Sequence, residues 1–198
     1  ACAGRRSTHL LAQEVEDRYQ AARKTAARFL NAERPDDLVF TSGTTGAVNL
    51  VVRGFAFEGS RNEVVVGAWE HNSVLLPFLE AEARGACVLR VCPVKDGRLD
   101  LDALESLVTD KTALVALARS SNVLGGVLPA AQVARLCRRR GAKLLLDDAQ
   151  FLSSHREDVR ASGADFVAFS AHKLGGPFGV GALWGEDRAM NALKAAKP

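Results

Sequence analysis

The chain has 198 residues, 47% hydrophobic and 25% charged, enough for a sizeable core and ordinary for a globular protein. Its 26 basic and 23 acidic side chains leave a formal charge of only +3, which argues against nucleic acid or an anionic membrane as a partner. No apolar run is long enough to span a bilayer, and Arg5-Arg6 have no apolar segment behind them to form a signal peptide.

A first helix is expected over residues 7–31. Leu11, Val15, Tyr19, Ala22, Ala26 and Leu30 recur at helical spacing, and Ser7 or Thr8 could cap it. An α/β core follows over residues 37–185. Asp37 to Thr41 reads as a strand, then Gly43-Thr44-Thr45-Gly46 opens a short helix through Leu50 and Val52. Further strands are expected at Glu63–Gly67, Cys87–Val91, Thr112–Ala118, Lys143–Asp147, Asp165–Phe169 and Val180–Trp184. Helical patterns fill Val74–Ala83, Leu101–Val108 and Ala130–Arg140. The run Arg138-Arg139-Arg140 before Gly141 suits a helix C-terminus, and no aromatics interleave it as a nucleic-acid surface would require.

Short apolar strands alternating with amphipathic helices imply a three-layer α/β/α fold with a mostly parallel, seven-stranded sheet. The four cysteines, Cys2, Cys87, Cys92 and Cys137, form neither a C-x-x-C pair nor a disulfide framework. Cys87 and Cys92 are most simply core thiols, and a reducing, cytoplasmic compartment is the default.

Ligands of such sheets bind beyond the carboxyl ends of the strands. After the first strand, the hydroxyls and glycines of Thr41-Ser42-Gly43-Thr44-Thr45-Gly46 lead into a helix, as either an anion cup or a capped turn. After the second comes His71, which could stack on a flat ligand or move protons, or be an ordinary structural histidine. After the fourth comes Asn122, in a loop of turn formers. After the fifth comes Asp147-Asp148-Ala149-Gln150, where a carboxylate closing an apolar strand needs a cation, a donor or a helix to cap. After the sixth stand Ser170, His172 and Lys173. A partly desolvated lysine there can act as a nucleophile toward a carbonyl. An anion cup, a ring, an amide, a carboxylate and an amine on one sheet edge match a phosphorylated pyridine aldehyde.

The combination of Gly43-Thr44-Thr45, Glu70-His71-Asn72, Ser121-Asn122-Val123-Leu124-Gly125, Asp147-x-Ala149-Gln150 and Ser170-x-His172-Lys173 resembles the class V aminotransferase family of pyridoxal-phosphate enzymes. Within it, the cysteine desulfurase/selenocysteine lyase branch is most similar, over almost the whole chain. The resemblance implies the large cofactor-binding domain of fold type I, with one antiparallel strand near the end of the sheet. It implies pyridoxal 5'-phosphate held by Lys173 as an internal aldimine, with Lys173 later carrying the substrate α-proton. Asp147 would pair with the ring nitrogen, and His71 would stack on the ring and assist proton transfer. Thr44, Thr45, Ser170 and His172 would bind the phosphate, Gln150 the ring oxygen, and Asn122 would face cofactor and substrate carboxylate. L-Cysteine or a similar amino acid is the implied substrate, a homodimer the implied assembly, and a sulfur-acceptor protein a possible partner. No metal is implied.

Arg119, Ser154 and Asp148 depart from that pattern. The branch commonly has histidine at the first two positions and glycine at the third, although His155 follows Ser154 directly. Family members also carry an N-terminal segment and a C-terminal domain that supplies a substrate-binding arginine and the sulfur-accepting cysteine. Residues 1–198 are therefore expected to form a single large domain. Two other readings stand beside the desulfurase: an aminotransferase, lyase or epimerase for another amino acid, and a non-catalytic fragment that keeps the fold.

Overall fold

The computed structural model describes residues 9–57 and 59–194. Helix α1, Leu10–Phe29, is capped by His9, whose Nδ1 accepts the Ala12 N–H at 3.2 Å. The expected caps Ser7 and Thr8, like Cys2, lie outside the described residues. Strand β1, Leu38–Thr41, leads through Gly43 into α2, Thr44–Gly54. Then come β2 (Glu63–Gly67), α3 (Asn72–Ala83) and β3 (Val88–Cys92). A two-stranded ribbon follows, β4 (Val94–Lys95) and β5 (Arg98–Leu99). Next are α4 (Leu101–Leu107), β6 (Thr112–Ala118), α5 (Ala130–Arg140) and β7 (Lys143–Asp147). The chain continues through α6 (Val159–Ser162), β8 (Phe166–Ser170), β9 (Gly181–Gly185) and α7 (Asp187–Ala192).

The main sheet has seven strands in the order β1-β9-β8-β7-β6-β2-β3. Only β9 runs against the rest, pairing antiparallel with β1 and β8, while β8, β7, β6, β2 and β3 pair parallel. The expected mostly parallel sheet with one late antiparallel strand is therefore found. Six carboxyl ends share one edge. Alternate residues of the central strands face opposite layers, as the period of two requires. Val65, Val115, Leu144 and Val167 pack with Leu30, Leu104 and Val133, under α1, α4 and α5. Val64, Leu114, Leu145 and Phe166 pack with Val48, Val51, Val74 and Phe78, under α2 and α3.

One expectation is corrected. The amphipathic stripe of α1 does not face the core along its length: Leu11, Val15 and Tyr19 are exposed. Of the expected stripe Leu30 is buried, and Ala12, Arg23 and Ala27 supply the rest of the buried face. Arg23 is tolerated there because its Nε donates to Leu38 O at 3.0 Å and its Nη1 pairs with Asp36 at 3.0 Å. The arginine run does end α5, closed by Gly141 at φ 69.

Candidate active site

Each expected site residue sits where a strand ends and the backbone turns. Thr44 opens α2 directly after Gly43, whose φ of 104 suits glycine. His71 caps α3. Asn122 lies in the loop after β6, closed by a bridge between Ser120 and Val127. Asp147 ends β7, Ser170 ends β8, and His172 and Lys173 lie on the single 3₁₀ turn Ala171–Leu174. Thr44, Thr45, His71, Asn122, Asp147, Gln150, Ser170, His172 and Lys173 all line one cavity of about 220 Å³ at this shared edge.

The anion side is built by close backbone approach. Ser170 Oγ accepts the Thr44 N–H at 2.8 Å and lies 2.7 Å from Thr44 Oγ1. A Cβ on Gly181 would stand 2.4 Å from Phe169 O and 2.5 Å from Gly43 Cα. Only glycine at 181 lets β9 lie against the Gly43 turn. The His172 ring stacks on Phe178, with centroids 5.0 Å apart.

Asp147 is buried and accepts the Ala149 N–H at 2.9 Å. Burial pushes its carboxyl up, while that N–H, His71 and Lys173 draw it back down. A cation arriving beside it would complete the compensation. His71 Nδ1 accepts the Ser73 N–H at 3.1 Å and lies 2.8 Å from Ser73 Oγ. In the tautomer whose Nδ1 accepts that N–H, the ring proton of His71 sits on Nε2.

The sequence reading overlooked several participants. Trp69, Ser73 and Ser120 also line the cavity. Beneath it, both Glu70 oxygens accept the Ala118 N–H, at 2.8 and 3.0 Å, joining the end of β2 to the end of β6. Burial pushes the Glu70 carboxyl up to about 8, with Asp147 adding to the rise. Glu70 lies three residues beyond the end of β2, and its partner is a backbone N–H, which no side-chain pattern announces. Arg119, Asp148, Ser154 and His155, by contrast, do not line the cavity.

The aminotransferase class-V family model matches residues 1–198. A cysteine desulfurase of Klebsiella pneumoniae is 40% identical over 191 residues, covering 95% of this chain and 47% of the relative. A cysteine desulfurase of Synechococcus elongatus is 38% identical over 190 residues, covering 94% of this chain and 30% of the relative. Among solved structures, the cysteine desulfurase CsdA of Escherichia coli superposes with a TM-score of 0.86 at 32% identity, covering 98% of this chain and 50% of that one. The apo cysteine desulfurase of Thermococcus onnurineus superposes at 0.87 with 30% identity, covering 96% and 48%. The chain thus spans about half the length of most of these relatives. With the family model matched end to end, the chain belongs to the aminotransferase class-V family.

Proposed function

We propose that this chain is the pyridoxal-phosphate-binding part of a cysteine desulfurase-like enzyme, which removes sulfur from L-cysteine and leaves alanine. The observation that carries the reading is the convergence of nine chemically matched side chains, from five strand ends, on one cavity.

The residues present fit the cofactor. Asp147 is a buried carboxylate with a single backbone donor, suited to a ring N–H cation. Thr44 and Ser170 form a hydroxyl pair at the start of a helix, where the dipole favours a phosphate. When bound, pyridoxal phosphate supplies an electron-withdrawing ring that acidifies the substrate's α-proton.

The chain's own residues then have distinct tasks. Lys173 Nζ would hold the cofactor's aldehyde carbon, and its amine is the group placed to carry the substrate's α-proton. Thr44, Thr45, Ser170 and His172 bind the phosphate. Gln150 donates to the ring oxygen, and Asn122 orients the substrate carboxylate. His71 would stack on the ring, with Nε2 facing proton transfer while Nδ1 accepts the Ser73 N–H. Asp147, kept from water, holds the ring nitrogen protonated.

Cys87, Cys92 and Cys137 are buried and line no part of the cavity. Burial pushes Cys92 up to about 11 and Cys137 up to about 12, so neither offers a thiolate at neutral pH. The reading therefore assigns the sulfur-accepting thiol to a part of the complete protein outside the described residues. It also takes the working enzyme as a homodimer that hands sulfur to an acceptor protein in the reducing cytoplasm. No helix among the described residues is long and apolar enough to cross a membrane.

Arg119 and Ser154, the departures that raised another substrate, stand outside the cavity wall, which favours cysteine. The test is turnover of L-cysteine by the complete protein. Equal release of sulfide and alanine is expected in the presence of a reductant. Amino transfer to a keto acid without sulfide would overturn the proposal.

A further inference from the structure

Behind the cavity wall lies a charge cluster that the proposed chemistry leaves unused. Arg119 follows β6 and is only 14% exposed. Its Nη1 lies 3.6 Å from Asp148 Oδ2 and contacts Glu157 Oε2. Both carboxylates are fully buried, and among the described residues Arg119 is their recorded ion-pair partner. The guanidinium lies 3.9 Å from the Phe151 ring centroid, and His155 stacks on the same ring at 4.7 Å. One guanidinium thus faces two buried carboxyl groups. Desolvation of buried charges can cost more than such a pairing returns, so net stability is weak grounds for the cluster.

Its backbone connections point to another reason. The Arg119 N–H donates to Asp147 O at 2.9 Å, and Arg119 O accepts the Leu128 N–H at 2.8 Å. The second bond closes the loop that carries Asn122. The Asp148 N–H donates to Ala168 O at 2.9 Å, and Asp148 O accepts the Leu152 N–H at 3.0 Å. These two bonds clamp the turn that carries Asp147 and Gln150. Arg119 and Asp148, two departures noted in the sequence, therefore meet at the joint between two cavity loops.

We infer that Arg119 is a positioning residue which, by pairing with Asp148 and Glu157 and covering Phe151, fixes the Asp147–Gln150 turn against the Asn122 loop. The effect on cofactor rests on the reading that this cavity receives pyridoxal phosphate; the effect on the loops does not.

Two comparisons test it in the full chain. Arg119→Met keeps the side-chain length and removes the charge. The triple variant Arg119→Met/Asp148→Asn/Glu157→Gln leaves no buried charge unpaired and serves where the single variant does not fold. Without ligand, amide exchange in residues 119–128 and 147–152 is expected to rise about tenfold or more, with β2 and β3 unchanged. Affinity for pyridoxal phosphate is expected to fall about tenfold, and the pH midpoint of its absorption band to shift. Arg119→Lys should recover part of both effects. Unchanged exchange in the two segments, or a uniform rise across the sheet, would overturn the positioning role. A wild-type chain that gives no band with pyridoxal phosphate would count against the cofactor reading, while the exchange comparison would still decide the role of Arg119.

Discussion

The Ser170 hydroxyl accepts the Thr44 backbone N–H at 2.8 Å, tying the end of β8 to the first residue of α2 across 126 positions of sequence. The anion cup is thus assembled by the fold before any anion arrives. Ser170→Ala leaves the Thr44 N–H buried without an acceptor. A loss of about 1–3 kcal/mol in folding stability is expected, together with about tenfold weaker phosphate binding. A urea midpoint and a pyridoxal-phosphate titration measure the two; an unchanged midpoint would count against the tie.

Gly181 and Gly175 should respond very differently to alanine. At Gly181 the new Cβ meets only backbone, Phe169 O at 2.4 Å and Gly43 Cα at 2.5 Å, so β9, β8 and the Gly43 turn must separate. The expected cost is about 3 kcal/mol or more, with loss of the anion cup. At Gly175, φ is +79 and nothing lies within 4 Å, so only the left-handed backbone is penalised, by about 1 kcal/mol. Denaturant melts of the two variants, side by side, make the comparison.

Glu70 gives the pH dependence a definite sign. Its carboxyl is raised from 4.5 to about 8 in the fold, and that of Asp148 from 3.8 to about 7. The folded chain therefore holds protons that the unfolded chain releases over this interval. Stability should fall as pH rises, between about 4.5 and 8 through Glu70 and between about 3.8 and 7 through Asp148, by up to about 1.4 kcal/mol per unit for each group. Glu70→Gln keeps the shape and removes one proton from this balance. Its thermal midpoint should decline less steeply across that range; a wild-type midpoint that climbs from pH 5 to 8 would contradict the assignment.

Asp147→Asn should separate folding from function. Asparagine removes a buried negative charge that desolvation disfavours, so stability at pH 7 is expected to hold or rise. The ring nitrogen loses its anionic partner, and turnover of the complete protein is expected to fall by about a hundredfold or more. Melting and initial rates on the same preparation check both halves.

The sheet was legible because its central strands are buried on both faces and read as continuous apolar runs, as in Thr112–Ala118 and Lys143–Asp147. The ribbon of β4 and β5 was missed, although Asp96-Gly97, with φ of 50 and 72, is a strong hairpin signal. Its two-residue strands carry too little alternation to stand out. On α1, periodicity offered Leu11, Val15 and Tyr19, but the buried face uses Ala12 and Ala27, whose small side chains allow close approach, and an Arg23 satisfied by a carbonyl. Each of the nine proposed site residues lines the cavity because all sit at strand ends, which the strand assignments already located. Glu70, Arg119 and Asp148 stood out in the sequence, but their contacts did not, because the partners, Ala118 N–H and Glu157, belong to the backbone or are remote in sequence.

The most direct test of the account is to mix the folded chain with pyridoxal phosphate, reduce with borohydride, and map the modified peptide by mass spectrometry. The account predicts a visible absorption band before reduction and a reduced adduct on Lys173, both absent from Lys173→Ala. An adduct spread over other lysines, or none at all on a chain shown to be folded, would contradict it.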